Sequence, residues 1–567
     1  MSSATPPGIT YTELSSGSHP IVPTGTSTAA FLGPTPYGTP LAPVRIRSLE
    51  QLREAFFKKD GVDFITLMTD LEAAIVALTE ASRNVHEEID TEHRKDLAET
   101  CSAQHAELAK IKNDVEPADA FQPALNAIEE LEVEATAGDP KFHALADRSK
   151  LKSTFDAITG KPGILKQKDA ILKNIESAAS KVDEDFDKKS RDIVAAEAKS
   201  RLAALKSTYS AGAEEYVALM LLSLAYLQKV ASDNEPLADP LMNLRTSVAV
   251  LGDEKTMLAT ITGFFDNSGN ECVIVPVKGD SAADLAKNFK AGLAALEAVP
   301  DVAIVAAPQI VLGRAGITTS PQDLAEHCLK MANRVGVLSL DRSVSAAPAP
   351  GVSSPFLAVY RPWVYVPDPS GAAQPLAVPP VGHVAGVYAR VDGTRGVFKA
   401  PANEVLNGVL GLCDDGCPTD EGKLNAAGIN CLRTLPDRGP VVWGARTLAG
   451  STQASDWLYI SVRRLMCFLE DSITTGTAWA VFEPNDERLW SALRRNIGAF
   501  LTEQWRHGAL KGTTPAEAYY VQCDETTNPD DQIRQGILTC HIGVAPVRPA
   551  EFLRLTIQQL APQPATT

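Results

Sequence analysis

Along the first half of the chain, apolar or small residues recur at alternating spacings of four and three. Leu71, Ile75, Leu78, Ser82, Val85 and Ile89 make one seam, which Leu97, Cys101, Leu108, Ile111 and Val115 continue less strictly; Leu172, Ile175, Ala179, Val182, Phe186 and Ile193 make another. That spacing returns side chains to one helix face, and its near-heptad regularity predicts two long helices packed along a common seam. Pro117, Pro123, Gly138, Pro140, Gly160 and Pro162 divide the interval between them into shorter helical pieces. A long antiparallel hairpin with a helical tip is the simplest arrangement. It reads either as a solvated structural coiled coil or as a hairpin whose tip meets a partner.

After about Thr256 the rhythm changes. Residues 272–277 are β-rich, 282–299 helical, 302–306 apolar, 321–334 helical and 335–340 β-like. Strands alternating with helices predict an α/β sheet domain. Further on, 456–473 and 486–505 read as amphipathic helices, the second with Leu489, Leu493, Ile497, Phe500 and Leu501 on an inward stripe. The two chain ends alternate with period two. Ile9, Thr10 and Tyr11, and Phe552, Leu553, Arg554, Leu555, Thr556 and Ile557, predict short two-faced strands. Flanking segments 15–23 and 546–549 would leave these strands free to reach a neighbour's sheet.

Charge sharpens the division. Residues 61–235 hold 33 Asp and Glu against 21 Lys and Arg, whereas the remainder holds 37 against 32. The helical stretch therefore carries −12 of the net −17, and it lacks Trp entirely. A surface this acidic argues against nucleic acid, which needs clustered Lys and Arg. The most apolar run, 216–230, falls short of the roughly 20 residues of a membrane span, and the first thirty residues show no export signal, so a chain that is neither inserted in a membrane nor exported is expected. Nine scattered cysteines suggest free thiols in a reducing compartment.

Candidate chemistry is sparse. No G-x-G-x-x-G follows the strand ending at Val277, where the chain reads Lys278, Gly279, Asp280. Gly416 to Lys423 has one residue too many for a phosphate loop, and Leu424 replaces its Ser or Thr. Cys413 and Cys417 lack a second ligand pair for zinc, and Asp266 to Glu271 places Gly269 too early for a calcium loop, so that segment reads as a turn. Neither G-x-S-x-G nor H-E-x-x-H occurs, and the adjacent Asp524 and Glu525 would point apart in a strand. No catalytic residue, metal site or cofactor is expected.

Longer motifs carry a resemblance. Residues 424–445 (LNAAGINCLRTLPDRGPVVWGA), 459–465 (YISVRRL), 481–490 (VFEPNDERLW), 523–528 (CDETTN) and 542–552 (IGVAPVRPAEF) closely resemble the contractile tail sheath family. So do 382–390 (GHVAGVYAR), 399–406 (KAPANEVL), and, near the start, 7–11 (PGITY), 24–33 (TGTSTAAFLG) and 48–57 (SLEQLREAFF). The family element matched by 263–272 (GFFDNSGNEC) follows only after a long delay. The likeness thus covers about 1–62 and 256–560, and the acidic helical segment is an insertion without a counterpart.

With that insertion, the resemblance implies a multidomain α/β (α+β) protein. An extended arm over 1–24 leads into the first part of the sheath domain (25–62); an inserted all-α coiled-coil hairpin domain (63–255) precedes an inner α/β sheet domain (256–405). A C-terminal sheath domain (406–545) with swapped terminal strands and an arm with tail (546–567) complete it. The implied role is mechanical. Subunits would polymerise as a helical array of stacked hexameric rings around an inner tube protein, bounded by baseplate and terminal cap proteins, with other sheath paralogues as further candidate partners. The implied location is the bacterial host's cytoplasm during assembly, then a phage tail or tail-like particle. The family's use of a C-terminal-domain helix against the tube makes Arg494 and Arg495 candidates for that contact; pairing with local acids such as Glu487 is the competing reading. An adhesin or receptor-binding component acting through the insertion is the alternative function.

Overall fold

The structure is a computed structural model that describes residues 19–59, helical stretches between 62 and 203, and 253–552 apart from 280–281, 314–319, 343–350, 372–373, 414–420 and 450–454. Two compact units divide the chain, one formed by 1–59 with 253–567 and the other by 60–252. The family-like segments on either side of the insertion therefore belong to one unit.

A nine-stranded sheet is the centre of that unit. Its strands are β1 (Ala29–Gly33), β2 (Val44–Ile46), β3 (Cys272–Pro276), β4 (Ile304–Leu312), β5 (Val335–Leu340), β6 (Leu357–Arg361), β9 (Glu404–Val405), β11 (Ile429–Leu435) and β12 (Gly439–Val442). Between them in sequence, β7 (Val364–Val366), β8 (Leu376–Val378) and β10 (Gly411–Leu412) form a separate three-stranded sheet. The large sheet runs in the order β9, β12, β11, β6, β5, β4, β1, β3, β2. From β11 to β3 every pairing is parallel, and the antiparallel β2 on one side and β12 with β9 on the other form its margins. Strand β1 lies between β3 and β4, with Ala29 paired to both Cys272 and Ile304. The chain before the insertion thus supplies an interior strand to a sheet built mainly from the chain after it.

Parallel strands covered on both faces have no polar side, which is why β1, β3, β4, β5 and β6 are mainly apolar, broken only by Gln309, Ser339 and Arg361, and are buried throughout. On one face, Leu32, Val275, Val305, Leu338 and Val359 meet Phe289 and Leu293 of helix α1 (Ala282–Leu296) and Leu324 and Cys328 of α2 (Ser320–Met331). On the other face, Phe31 meets Phe264 edge-on at 5.4 Å, and the Tyr360 and Tyr388 hydroxyls bond at 2.7 Å. That face is covered by a helix over 253–266 and by α3 (Val381–Arg395).

These two helices approach backbone to backbone. A Cβ at Gly382 would lie 1.9 Å from the Thr260 carbonyl oxygen, and one at Gly386 2.5 Å from that of Phe264. The GHVAG motif is therefore a close-packing device: glycines one turn apart open a groove that larger residues would fill. Asn267, in the expected turn, closes the far end by donating to the Gly263 and Asn407 carbonyls at 2.9 and 3.0 Å.

His383 projects into this contact with 1% exposure, and burial lowers its pKa to about 4. His327 on α2 is likewise lowered to about 4, by burial first and then by Arg334. Unfolded, both imidazoles would protonate near pH 6.5. Between those values the unfolded chain binds more protons, so this part of the stability is present above pH 6.5 and lost as pH falls toward 4. The urea midpoint of the unpolymerised chain should drop from pH 7 to pH 5, and drop less in His327→Gln. A midpoint flat over that range would contradict the burial argument.

In the second unit, Thr91–Asn113, Gln122–Ala137 and a helix over 169–182 share one core. Leu97, Cys101 and Leu108 of the first, Ile128 and Leu131 of the second and Ile175, Ala179 and Val182 of the third are all buried within it. A third helical segment thus joins the two expected ones. Pro123 does not interrupt Gln122–Ala137, because it occupies the first turn, where a missing N–H costs no helix bond. The seam positions Leu71 to Ile89, Val115, Phe186 and Ile193 lie outside the described residues. The C-terminal boundary also differs from the expected 63–255: Lys255 pairs with Asp368 at 2.8 Å, both side chains 7% exposed, which ties 253–255 to the sheet unit.

Candidate assembly interface

The C-terminal body is built on two amphipathic helices, α4 (Ile460–Gly476) and α5 (Glu487–Arg506). Asp486 starts α5 by accepting the amides of Arg488 and Leu489 at 2.9 and 3.1 Å. Leu489, Leu493, Ile497, Phe500 and Leu501 then pack against Leu465 and Leu469 of α4, as their spacing predicts. Beside them lies a two-stranded antiparallel ladder, β13 (Tyr519–Gln522) and β14 (His541–Val544), in register from Tyr519 opposite Val544 to Gln522 opposite His541. Tyr519 turns toward α5 and shares a 2.6 Å hydrogen bond with the Thr502 hydroxyl.

The outer edges of this ladder pair with no further strand among the described residues. Tyr520 is 59% and Ile542 36% exposed. A hairpin is marginal on its own, and an open edge presents unpaired N–H and C=O groups. Among the described residues the ladder is thus two-stranded, with both outer edges unpaired.

The two arginines of YISVRRL have distinct places. Arg463 lies between the rings of Phe356 and Trp457, 4.6 and 4.4 Å from their centroids, and pairs with Glu470 at 3.2 Å. Arg464 is buried with Asp392 of α3 at 2.5 Å, lies 4.6 Å over the Tyr388 ring and donates to the Thr26 carbonyl at 3.0 Å. Together they join the C-terminal body to the sheet and to the N-terminal segment.

Both arm roots are docked, which corrects the expectation of free linkers. His19 stacks on Trp479 at 4.4 Å, Ile21 is buried in the C-terminal core and Thr24 bonds Ser472 at 3.0 Å. Burying an isoleucine is worth roughly 1.5–3 kcal/mol, enough to hold the segment against α4. Pro546 bridges Leu510, the Val547 amide donates to the Ala509 carbonyl at 3.2 Å, and Arg548 pairs with Asp456 at 2.5 Å. The docked spans thus include 19–23 and 546–549. Of the arm residues singled out in sequence, Phe552 is 66% exposed, whereas Ile9, Thr10, Tyr11, Leu553, Arg554, Leu555, Thr556 and Ile557 lie outside the described residues.

The paired arginines of α5 separate cleanly. Arg494 turns inward to Glu487 at 2.6 Å and to the Cys523 carbonyl, a local structural role. Arg495 is exposed without a side-chain partner among the described residues, and so are Arg488 and Arg506, two residues the motif reading did not mark. Spacings of seven and eleven are close to whole helical turns, so these three share one solvent face. That periodicity was the signal available in sequence.

Comparison with known proteins follows this geometry. A family model described as the phage tail sheath protein central domain matches residues 282–448, and one described as the phage tail sheath C-terminal domain matches 452–559. A tail sheath protein of Vibrio phage KVP40 is 30% identical over 31% of this chain and 26% of its own length. A protein of Pseudomonas aeruginosa described as a prophage major tail sheath protein is 28% identical over 41% of this chain and 59% of its own. The matched part of the chain therefore spans less than two thirds of the length of these relatives. The helical sheath of the anti-feeding prophage in its contracted state is 34% identical, covering 53% of this chain and 81% of that one, with a TM-score of 0.47. With both sheath models matched in tandem, the chain belongs to the contractile tail sheath family.

Proposed function

We propose that the chain is the repeating subunit of a contractile sheath, polymerising helically around an inner tube in a metastable extended state and contracting to drive that tube through a target envelope. The observation that supports this best is the ladder of β13 and β14, unpaired at both outer edges among the described residues, in a body that also docks the roots of both arms. Strands from neighbouring subunits, Ile9 to Tyr11 and Phe552 to Ile557, would fill its two edges by β-augmentation. A heterologous contact of this kind that does not close a ring generates an open helix. The energy for contraction would come from the difference between two packings of the bodies, while shared strands keep the mesh connected.

The exposed stripe of Arg488, Arg495 and Arg506 suits an acidic surface on the inner tube, and the Glu487 pair of Arg494 favours the local reading for that residue. Baseplate and terminal cap proteins would bound the array, and paralogous sheath subunits could enter it through the same strands. Assembly would take place in the bacterial host's cytoplasm, and the finished tail or tail-like particle would leave it.

Negative-stain microscopy of the purified chain should show long hollow cylinders; a chain that stays monomeric at high concentration would defeat the reading. The insertion is placed on the outer wall, since an acidic helical body of this size has no room between sheath and tube. Replacing 60–252 with a short Gly/Ser linker should leave cylinders intact. A soluble, folded deletion protein that never assembles would assign the insertion to the lattice instead.

A further inference from the structure

Three separate segments converge on one carboxylate at the root of the C-terminal arm. Glu551 accepts from Arg446 Nε at 2.9 Å and Nη2 at 2.7 Å, from Asn425 Nδ2 at 2.8 Å and from the Tyr459 hydroxyl at 2.9 Å. Arg446 is itself fixed: its side chain is 5% exposed, and its Nη1 donates to the Asn425 carbonyl at 2.9 Å. Its backbone amide donates to Asn430 Oδ1 at 2.7 Å, and Asn430, fully buried, donates onward to the carbonyl of Val359 in β6 at 3.1 Å. A continuous chain of polar contacts thus runs from the arm root to an interior strand of the sheet.

We infer that Glu551 is the anchor that fixes where and in which direction the C-terminal arm leaves the body, a positioning residue for assembly. The inference rests on the sheath reading. A bidentate guanidinium–carboxylate pair is the right device, because it fixes orientation as well as distance. Asn425 and Tyr459 belong to the 424–445 and 459–465 motifs and Glu551 to the 542–552 motif, while Arg446 directly follows the first, so the anchor joins polar residues of three motifs. Burial works to raise the Glu551 carboxyl, yet Arg446, Asn425 and Tyr459 outweigh it and hold the group below its ordinary range. A pull on the arm would meet Glu551 first, before any of the weaker backbone contacts at Val547.

Hydrogen exchange on the unpolymerised full chain, followed by microscopy, tests this. In Glu551→Ala, exchange within 545–552 should accelerate about ten-fold or more while β4 and β5 keep their protection, the signature of local release. The same variant should lose most cylinders, and Glu551→Gln, which keeps the shape and one acceptor oxygen but loses half of the bidentate Arg446 pair, should recover part of them. Should the alanine variant fail to fold, Glu551→Gln and Arg446→Lys carry the same two measurements. Unchanged exchange in 545–552 overturns the anchor. Faster exchange with normal cylinders overturns its role in aiming the arm. Absence of cylinders from the unaltered chain would instead count against the sheath reading, and the exchange result would still decide the anchor.

Discussion

Asp392→Ala is expected to destabilise the sheet unit by about 3–5 kcal/mol, the scale for removing one partner from a buried ion pair. Asp392 and Arg464 are 4% and 3% exposed, and the guanidinium meets both carboxylate oxygens, at 2.9 and 2.5 Å. Water cannot replace the lost carboxylate. The remaining contacts of Arg464, the Tyr388 ring and the Thr26 carbonyl, carry no compensating negative charge. The variant should therefore show a large fall in urea midpoint, and because Arg464 holds Thr26, the N-terminal root should loosen with it. Asp392→Leu combined with Arg464→Met should recover much of the loss, since an apolar pair removes the stranded charge. A single-variant loss below about 1 kcal/mol would mean that the pair behaves like an exposed one.

The parts legible in sequence are those where one local rule decides. Strands β3 to β5 announce themselves because both faces are covered, and the inward stripe of α5 follows from its period. Strand β1 does not. Two alanines, Phe31, Leu32 and a glycine are too short a run to distinguish periods, and the strand is fixed by pairing with β3 and β4 across the insertion. The site divides in the same way. Helical spacing puts Arg494 and Arg495 off the stripe together; only the Cys523 carbonyl, brought over by the ladder, separates the inward residue from the outward one. The proline-containing segment 15–23 reads as a free linker, and of its adjacent apolar residues Ile21 docks while Val22 stays exposed, which the sequence does not distinguish. Arg463, Arg464 and Glu551 were visible as motif letters, and Trp457 lies close to Arg463 in sequence, but the partners Phe356, Asp392 and Arg446 come from remote stretches that no local pattern connects.

The largest functional effect is expected from Leu555→Pro. If residues 552–557 add a strand to a neighbour's β13–β14 ladder, each main-chain bond contributes roughly 0.5–1.5 kcal/mol net, and several such bonds act in every subunit of a helical array. Proline deletes one donor and fixes φ where an added strand needs a freer backbone. The isolated body should not notice, because the two cores of the described residues are each packed from residues before the arm. The unfolding midpoint should stay within about 0.5 kcal/mol of the parent, as for a change remote from packed features, while cylinders vanish. The N-terminal arm offers the complementary experiment. Because docking includes 19–26, the slack must be introduced upstream: two or three extra residues between Ser15 and Ser18 leave Ile21 and Thr24 in place but lengthen the tether between bodies. Such sheaths should assemble in the extended state and fail to contract, since one body's rotation would be absorbed before it reaches the next. Normal polymerisation of Leu555→Pro together with normal contraction of the lengthened variant would show that contacts between bodies, and not shared strands, hold the lattice and transmit its motion.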